Sequence, residues 1–148
     1  MHVPRSGPSI FGGLNKGRLA LMVEQRRSNM ADGKTYTGGC HCGRVRFEAT
    51  TDPAQAIACN CSICSKQGLW LTFVKPTQFK LLSGLDAVGD YRFNKHAIHH
   101  VFCRTCGVEP FARGKAKDGT DMFAVNVRCL DDVDIAKLSP RPFEGKSL

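Results

Sequence analysis

Seven of the eight cysteines fall into three tight groups: Cys40-x-Cys42, Cys59-x-Cys61-x-x-Cys64 and Cys103-x-x-Cys106. Only Cys129 stands apart. Short spacings of this kind bring two sulfurs onto one ion at little entropic cost, and zinc prefers four such ligands in a tetrahedron. Gly43 and Gly107 follow the outer pairs, where a glycine lets the backbone turn tightly beneath a metal. The grouping has two solutions. In one, Cys40, Cys42, Cys103 and Cys106 close a saturated structural site, and Cys59, Cys61 and Cys64 hold a second ion with one position open. In the other, Cys61, Cys64, Cys103 and Cys106 form a zinc ribbon, which leaves three thiols of ligand-like spacing unused.

A zinc ion with three protein ligands and an open position is the arrangement of catalytic sites. Three thiolates leave the site net negative, so it activates water poorly but accepts a visiting thiol readily. A thiol held there as thiolate is a nucleophile for a carbonyl carbon, which points to making or breaking a carbon–sulfur bond. His100, three residues before Cys103, is the candidate for proton movement. His41, His96 and His99 read as surface or supporting residues. Arg128, Arg113, Lys66 and Lys95 are candidates for holding an anionic substrate, each with a solvated surface position as the plain alternative. Cys129 reads as a small buried hydrophobe.

Other chemistries fail on their motifs. Gly33-Lys34-Thr35 would end a phosphate-binding loop, but the glycine required upstream is Ser28. No His or Cys is followed two positions later by Glu, as a zinc deaminase requires. G-x-S-x-G, H-E-x-x-H and G-x-G-x-x-G do not occur.

At 148 residues the chain suits one domain. A hydrophobic content of 42% is too high for a chain disordered throughout. The longest apolar run, Leu19 to Val23, is far shorter than the ~20 residues that span a bilayer, so no membrane partner is expected. The net charge of +8 is partly local. Residues 1–29 hold five basic residues against one acidic, while the rest mixes both signs without a long basic block. Nucleic acid is therefore not the expected partner, and a zinc-stabilised binding module without catalysis is kept as the alternative reading. Residues 1–29 lack sustained periodicity and read as a disordered tail or an over-extended start, with Met22 or Met30 as initiator. Residues 30–148 read as a single zinc-binding domain. With no apolar signal region, the thiols are expected to be kept reduced in the cytoplasm.

Short β-type runs follow one another from Thr35. Arg44 to Ala49 alternates polar and apolar as a half-buried strand does. Ala54 to Cys59, Leu69 to Val74, Gln78 to Leu82, Tyr91 to Phe93, His99 to Cys103 and Met122 to Arg128 are further strands. Turns are expected at Thr51-Asp52-Pro53, Ser83-Gly84, Gly89-Asp90 and Asp118-Gly119. Helix is confined to about one turn at Ser62 to Lys66 and another at Asp131 to Leu138. The expected class is mainly antiparallel β.

The segments GGCHCGRVRFEA at 38–49, CNCSICSKQG at 59–68, HVFCRTCGVEPF at 100–111 and VNVRCLD at 125–131 carry a resemblance. From Thr35 onward the chain resembles the glutathione-dependent formaldehyde-activating enzyme family, which also contains centromere protein V. The resemblance implies a β-sandwich-like tent fold with two zinc ions per chain. It implies Cys40, Cys42, Cys103 and Cys106 as structural ligands, and Cys59, Cys61 and Cys64 as ligands of the catalytic ion. The implied reaction is that of a carbon–sulfur lyase joining glutathione to formaldehyde as S-(hydroxymethyl)glutathione.

Overall fold

A computed structural model describes residues 33–148. The expected tail at 1–29 and the start of a domain near residue 30 lie outside the described residues. The described chain is mainly β, with ten strands and one short α-helix. β1 (Lys34–Gly39), β2 (Arg46–Thr51) and β5 (Phe79–Ser83) form a three-stranded antiparallel sheet in the order β1-β2-β5. The larger sheet has the order β10-β3-β4-β9-β8-β7-β6. Its strands are β3 (Ile57–Cys59), β4 (Trp70–Val74), β6 (Val88–Tyr91), β7 (His99–Cys103), β8 (Phe111–Lys115), β9 (Asp121–Asn126) and β10 (Arg141–Phe143). No helix among the described residues is long and apolar enough to cross a membrane.

The two sheets enclose one core because their strands alternate. In β2, Phe47, Ala49 and Thr51 turn inward and are buried, while Arg46, Glu48 and Thr50 between them are half-buried. Phe47 stacks on Phe79 at 5.4 Å between ring centroids and meets Phe111 of the larger sheet edge-on at 6.0 Å. Phe79 stacks in turn on Phe123 at 4.2 Å. Phe47 and Phe111 are buried, which stabilises the fold by about 1.5–3 kcal/mol for each, while Phe79 and Phe123 are partly buried against them. Alternation along β4 sends Val74 into this core and Leu71 to the opposite face. There Leu71 joins Ile57, Leu69 and Cys64 in a second, smaller apolar cluster. That cluster supports the middle cysteine group.

Local signals and tertiary pairing disagree at several places. Pro53 lacks an N–H for a ladder and Asp52 accepts from the N–H of Ala54, so 53–55 forms a 3₁₀ turn and β3 shrinks to Ile57–Cys59. Gly89-Asp90, expected as a turn, lies inside β6, where Gly89 pairs with Phe102 and Asp90 with Val101. Asp131 to Leu138 contains only the 3₁₀ turn Ile135–Lys137, capped by Asp134. β1, β8 and β10 carry too little alternation to be recognised from sequence. The antiparallel expectation meets one exception, since β10 pairs with β3 in parallel, Phe143 opposite Cys59. A parallel neighbour requires a long crossover, and the whole chain between residues 59 and 141 provides it.

Candidate metal centre

The outer cysteine pairs are carried by two matching turns. Cys40 follows β1, its N–H donates to the Val45 carbonyl at 3.0 Å, and the Gly43 N–H donates back to the Cys40 carbonyl at 3.3 Å. Cys103 ends β7, its N–H donates to the Val108 carbonyl at 2.9 Å, and the Gly107 N–H donates to the Cys103 carbonyl at 2.8 Å. Gly43 and Gly107 take φ of +80° and +79°, values that glycine adopts without strain. The four sulfurs of Cys40, Cys42, Cys103 and Cys106 lie within 4.8 Å of one another. Cys42 Sγ is 3.6 Å from both Cys40 Sγ and Cys103 Sγ. Tetrahedral zinc with Zn–S near 2.3 Å requires sulfurs about 3.8 Å apart, so the set fits that ion. All eight cysteines are free thiols.

Crowding spreads the proton affinities of these thiols. The Arg44 N–H works to lower Cys42, but burial and hydrogen bonds with Cys40, Cys103 and Cys106 outweigh it and push Cys42 up to about 11. Burial opposes ionisation of Cys106, yet the N–H groups of Val108 and Cys42 and the neighbouring thiols bring it down to about 6. Four thiols this close cannot all ionise without a cation among them, so metal binding and proton release are coupled.

The middle group stands on the other apolar cluster. Cys59 ends β3, Cys61 precedes the helix α1 (Ser62–Gln67), and Cys64 lies within it, buried. Gly68 ends α1 in the left-handed conformation at φ +64°, and the Leu69 N–H donates to the Cys64 carbonyl at 3.1 Å. The three sulfurs lie within 4.8 Å of one another. Among the described residues no fourth His, Cys, Asp or Glu completes this group. Burial, then Cys61 and Cys59, push the Cys64 thiol far up. Against burial, the N–H and thiol of Cys64 lower Cys61.

Asn60, between two of these cysteines, is a residue that cysteine spacing does not single out. Its Nδ2 donates to Glu144 Oε2 at 2.7 Å, and its Oδ1 accepts from the N–H groups of Gly145 and Lys146, both at 2.9 Å. The Asn60 N–H donates to the Phe143 carbonyl at 3.1 Å. The C-terminal segment is thereby strapped beside Cys59. Its partners lie more than eighty residues away in sequence, and no local pattern announces them.

His100 is not brought to this group. It sits in β7, four strands from β3 in the sheet, which is roughly 19 Å at the spacing of neighbouring strands. Its Nδ1 donates instead to Glu109 Oε1 at 2.9 Å in a buried pair, and its ring stacks on Phe93. Of the basic candidates, Arg128 lies over Trp70 at 4.1 Å and its Nε donates to the Gly68 carbonyl at the end of α1. Lys66 is exposed in the last turn of α1. Arg113 lies on β8, opposite His99, and Lys95 in the loop before β7. Cys129 belongs to neither group, and burial raises its thiol to about 12.

Fold and sulfur clusters together define a small two-sheet β protein with two cysteine-rich groups able to hold metal ions. The sequence pattern of the glutathione-dependent formaldehyde-activating enzyme family matches residues 35–143, and the chain belongs to that family. A crystal structure of a Rhodobacter sphaeroides protein is similar at 29% identity and a TM-score of 0.63, covering 72% of this chain and 97% of that one.

Proposed function

We propose that the chain is a zinc-dependent carbon–sulfur lyase-type enzyme that joins a small thiol, glutathione, to an aldehyde such as formaldehyde, or reverses that addition. The observation that carries this reading is the group of Cys59, Cys61 and Cys64, whose three sulfurs converge with no fourth protein donor among the described residues. Zinc held by three thiolates keeps one position for a substrate thiol and favours its thiolate form. Cys59, Cys61 and Cys64 would hold that ion. Cys40, Cys42, Cys103 and Cys106 would hold a second one and lock the turn after β1 onto the end of β7. Lys66 and Arg128, at the C-terminal end of α1, offer positive charge for the carboxylates of glutathione.

In the addition, the sulfur forms a bond to the carbonyl carbon while the carbonyl π pair moves to oxygen. The proton lost by the thiol ends on that oxygen, and water carries it, since His100 is engaged with Glu109. Reduced thiols at both groups suit a cytoplasmic setting.

The test is turnover of glutathione with formaldehyde by the purified full chain and by Cys61→Ser, with zinc per chain measured on both. The expected result is two zinc ions and turnover in the parent, one zinc ion and no turnover in the variant, and a retained fold. Full turnover in Cys61→Ser would overturn the assignment. Two zinc ions in the parent with no turnover of any thiol and aldehyde pair would favour a binding module.

A further inference from the structure

The small sheet has three strands and the large one seven, so β5, an edge strand of the small sheet, leaves part of the inner face of the large sheet uncovered. A groove of about 440 Å³ lies there. Phe79 and Leu81 of β5 form one wall, and Val101, Phe111 and Phe123 contribute to the floor. That volume falls within the range of small-molecule sites, which bury an apolar body and fix it with a few polar groups.

The polar groups at this groove are unequal. Asp90, the one carboxylate lining it, is already engaged, accepting from His99 Nδ1 at 2.7 Å and lying 3.8 Å from Arg92 Nε. Arg104 and Arg113 also line the groove and are exposed. Neither makes a direct ion pair among the described residues, although the Arg113 charge is near enough to help hold the Asp90 carboxyl low, after His99 and Arg92. Two guanidinium groups against one carboxylate that His99 already engages leave the groove net positive beside an apolar floor, which complements an anion with an apolar tail. A carboxylate matches the guanidinium fork. The floor crosses β9, β8, β7 and β6, three strand spacings or about 14 Å, which suits an extended chain better than a single ring.

We propose that this groove binds a medium-chain aliphatic carboxylate, its chain along the phenylalanine floor and its head group on Arg104 and Arg113. The groove lies on the inner face, at the β6 end of the sheet, whereas the Cys59 group stands at the β3 end against the outer cluster. The proposal is therefore independent of the thiol chemistry.

Calorimetry on the zinc-loaded full chain with octanoate, decanoate and decanol tests it, together with Arg104→Ala/Arg113→Ala. Saturable decanoate binding is expected, about fifteenfold tighter than octanoate for two further buried methylenes. The double variant should weaken decanoate at least tenfold while leaving decanol unchanged. Both side chains are exposed, but Arg104 lies within the Cys103–Cys106 turn, so circular dichroism and zinc per chain are measured on the variant and are expected to match the parent; if they do not, Arg113→Ala alone replaces it. Methyl NMR shifts at Leu81, Val88 and Val101 should report the ligand in either protein. No saturable decanoate binding at roughly millimolar concentration would overturn the proposal. So would equal decanoate affinity in parent and variant, which marks apolar adsorption, or shifts confined to methyl groups elsewhere.

Discussion

Gly145 packs so closely on Cys59 that a Cβ at position 145 would collide with the Cys59 sulfur. The last strand and the tail beyond it therefore form part of the wall of the open cysteine group. Gly145→Ala is expected to push either the strap or Cys59 aside. Outer groups that orient a ligand are worth about 10–100-fold in metal affinity or activity, and a loss in that range is the expected outcome. Zinc titration of the purified variant, with circular dichroism to confirm the fold, measures it. Unchanged affinity at the weaker site would show that the strap plays no part.

Asn60 ties the same strap from the other side through Gly145, Lys146 and Glu144. Asn60→Ala should loosen residues 144–148 and weaken the same ion by about tenfold or more. Amide hydrogen exchange at Gly145 and Lys146 provides the direct readout. Unaltered protection there would remove the basis for this assignment.

Cys103 is fully buried at the junction of the two outer turns, whereas Cys61 lies half-exposed at the start of α1. Cys103→Ser should therefore cost far more stability than Cys61→Ser, because it breaks the set joining two distant parts of the chain. A structural zinc contributes on the order of 10 kcal/mol to folding in small domains. Thermal unfolding of the two variants, side by side with and without a chelator, separates them. Equal destabilisation would argue against a structural role for the closed group.

Asp131 is held below the usual carboxylate range, first by the hydrogen bond from Arg46 and then by that from Thr37. A depressed native value means that this stability is fully present above the unfolded value near 3.9 and is lost as pH falls through the native value. Both side chains are over a third exposed, so solvent screening keeps the pair to under about 1 kcal/mol. Asp131→Asn should lower stability by that amount at pH 7 and flatten the loss below about pH 4. Urea unfolding across this pH range measures it, and a parallel loss in both proteins would contradict the sign.

Glu109 and His100 form a buried pair, and the Glu109 carbonyl also accepts from Asn126 Nδ2 at 3.0 Å. Glu109→Ala leaves the His100 ring without its partner and should cost about 1–3 kcal/mol. Glu109→Gln keeps an acceptor and should recover part of that loss. Urea midpoints of the two variants provide the comparison, and equal losses would show that volume rather than hydrogen bonding matters there.

The cysteine spacing and the glycines at 43 and 107 act within a few residues of one another, so the turns they make are legible in the sequence. The Arg44 to Ala49 alternation is legible for the same reason, because burial of one face imprints a period of two on the chain. β8 escapes such a reading because Phe111-Ala112-Arg113-Gly114-Lys115 carries one large apolar side chain and a glycine, and its neighbours β7 and β9 impose the extended form. His100 lies three residues from Cys103 and on spacing alone reads as serving a metal group, yet strand order sets its surroundings and brings it to Glu109.

A mainly β chain, two metal-type sulfur sets in outline and the tight turns that carry them all follow from the order of residues, because each depends on local spacing and chirality. The choice between the ribbon and the closed four-sulfur set required the folded chain, which brings Cys42 and Cys103 within 3.6 Å across sixty-one positions. Folding likewise lays Gly145 against Cys59 and leaves the groove beside β5 open. The physical reason is that long-range strand pairing follows the summed burial of whole faces, which no short window of residues contains.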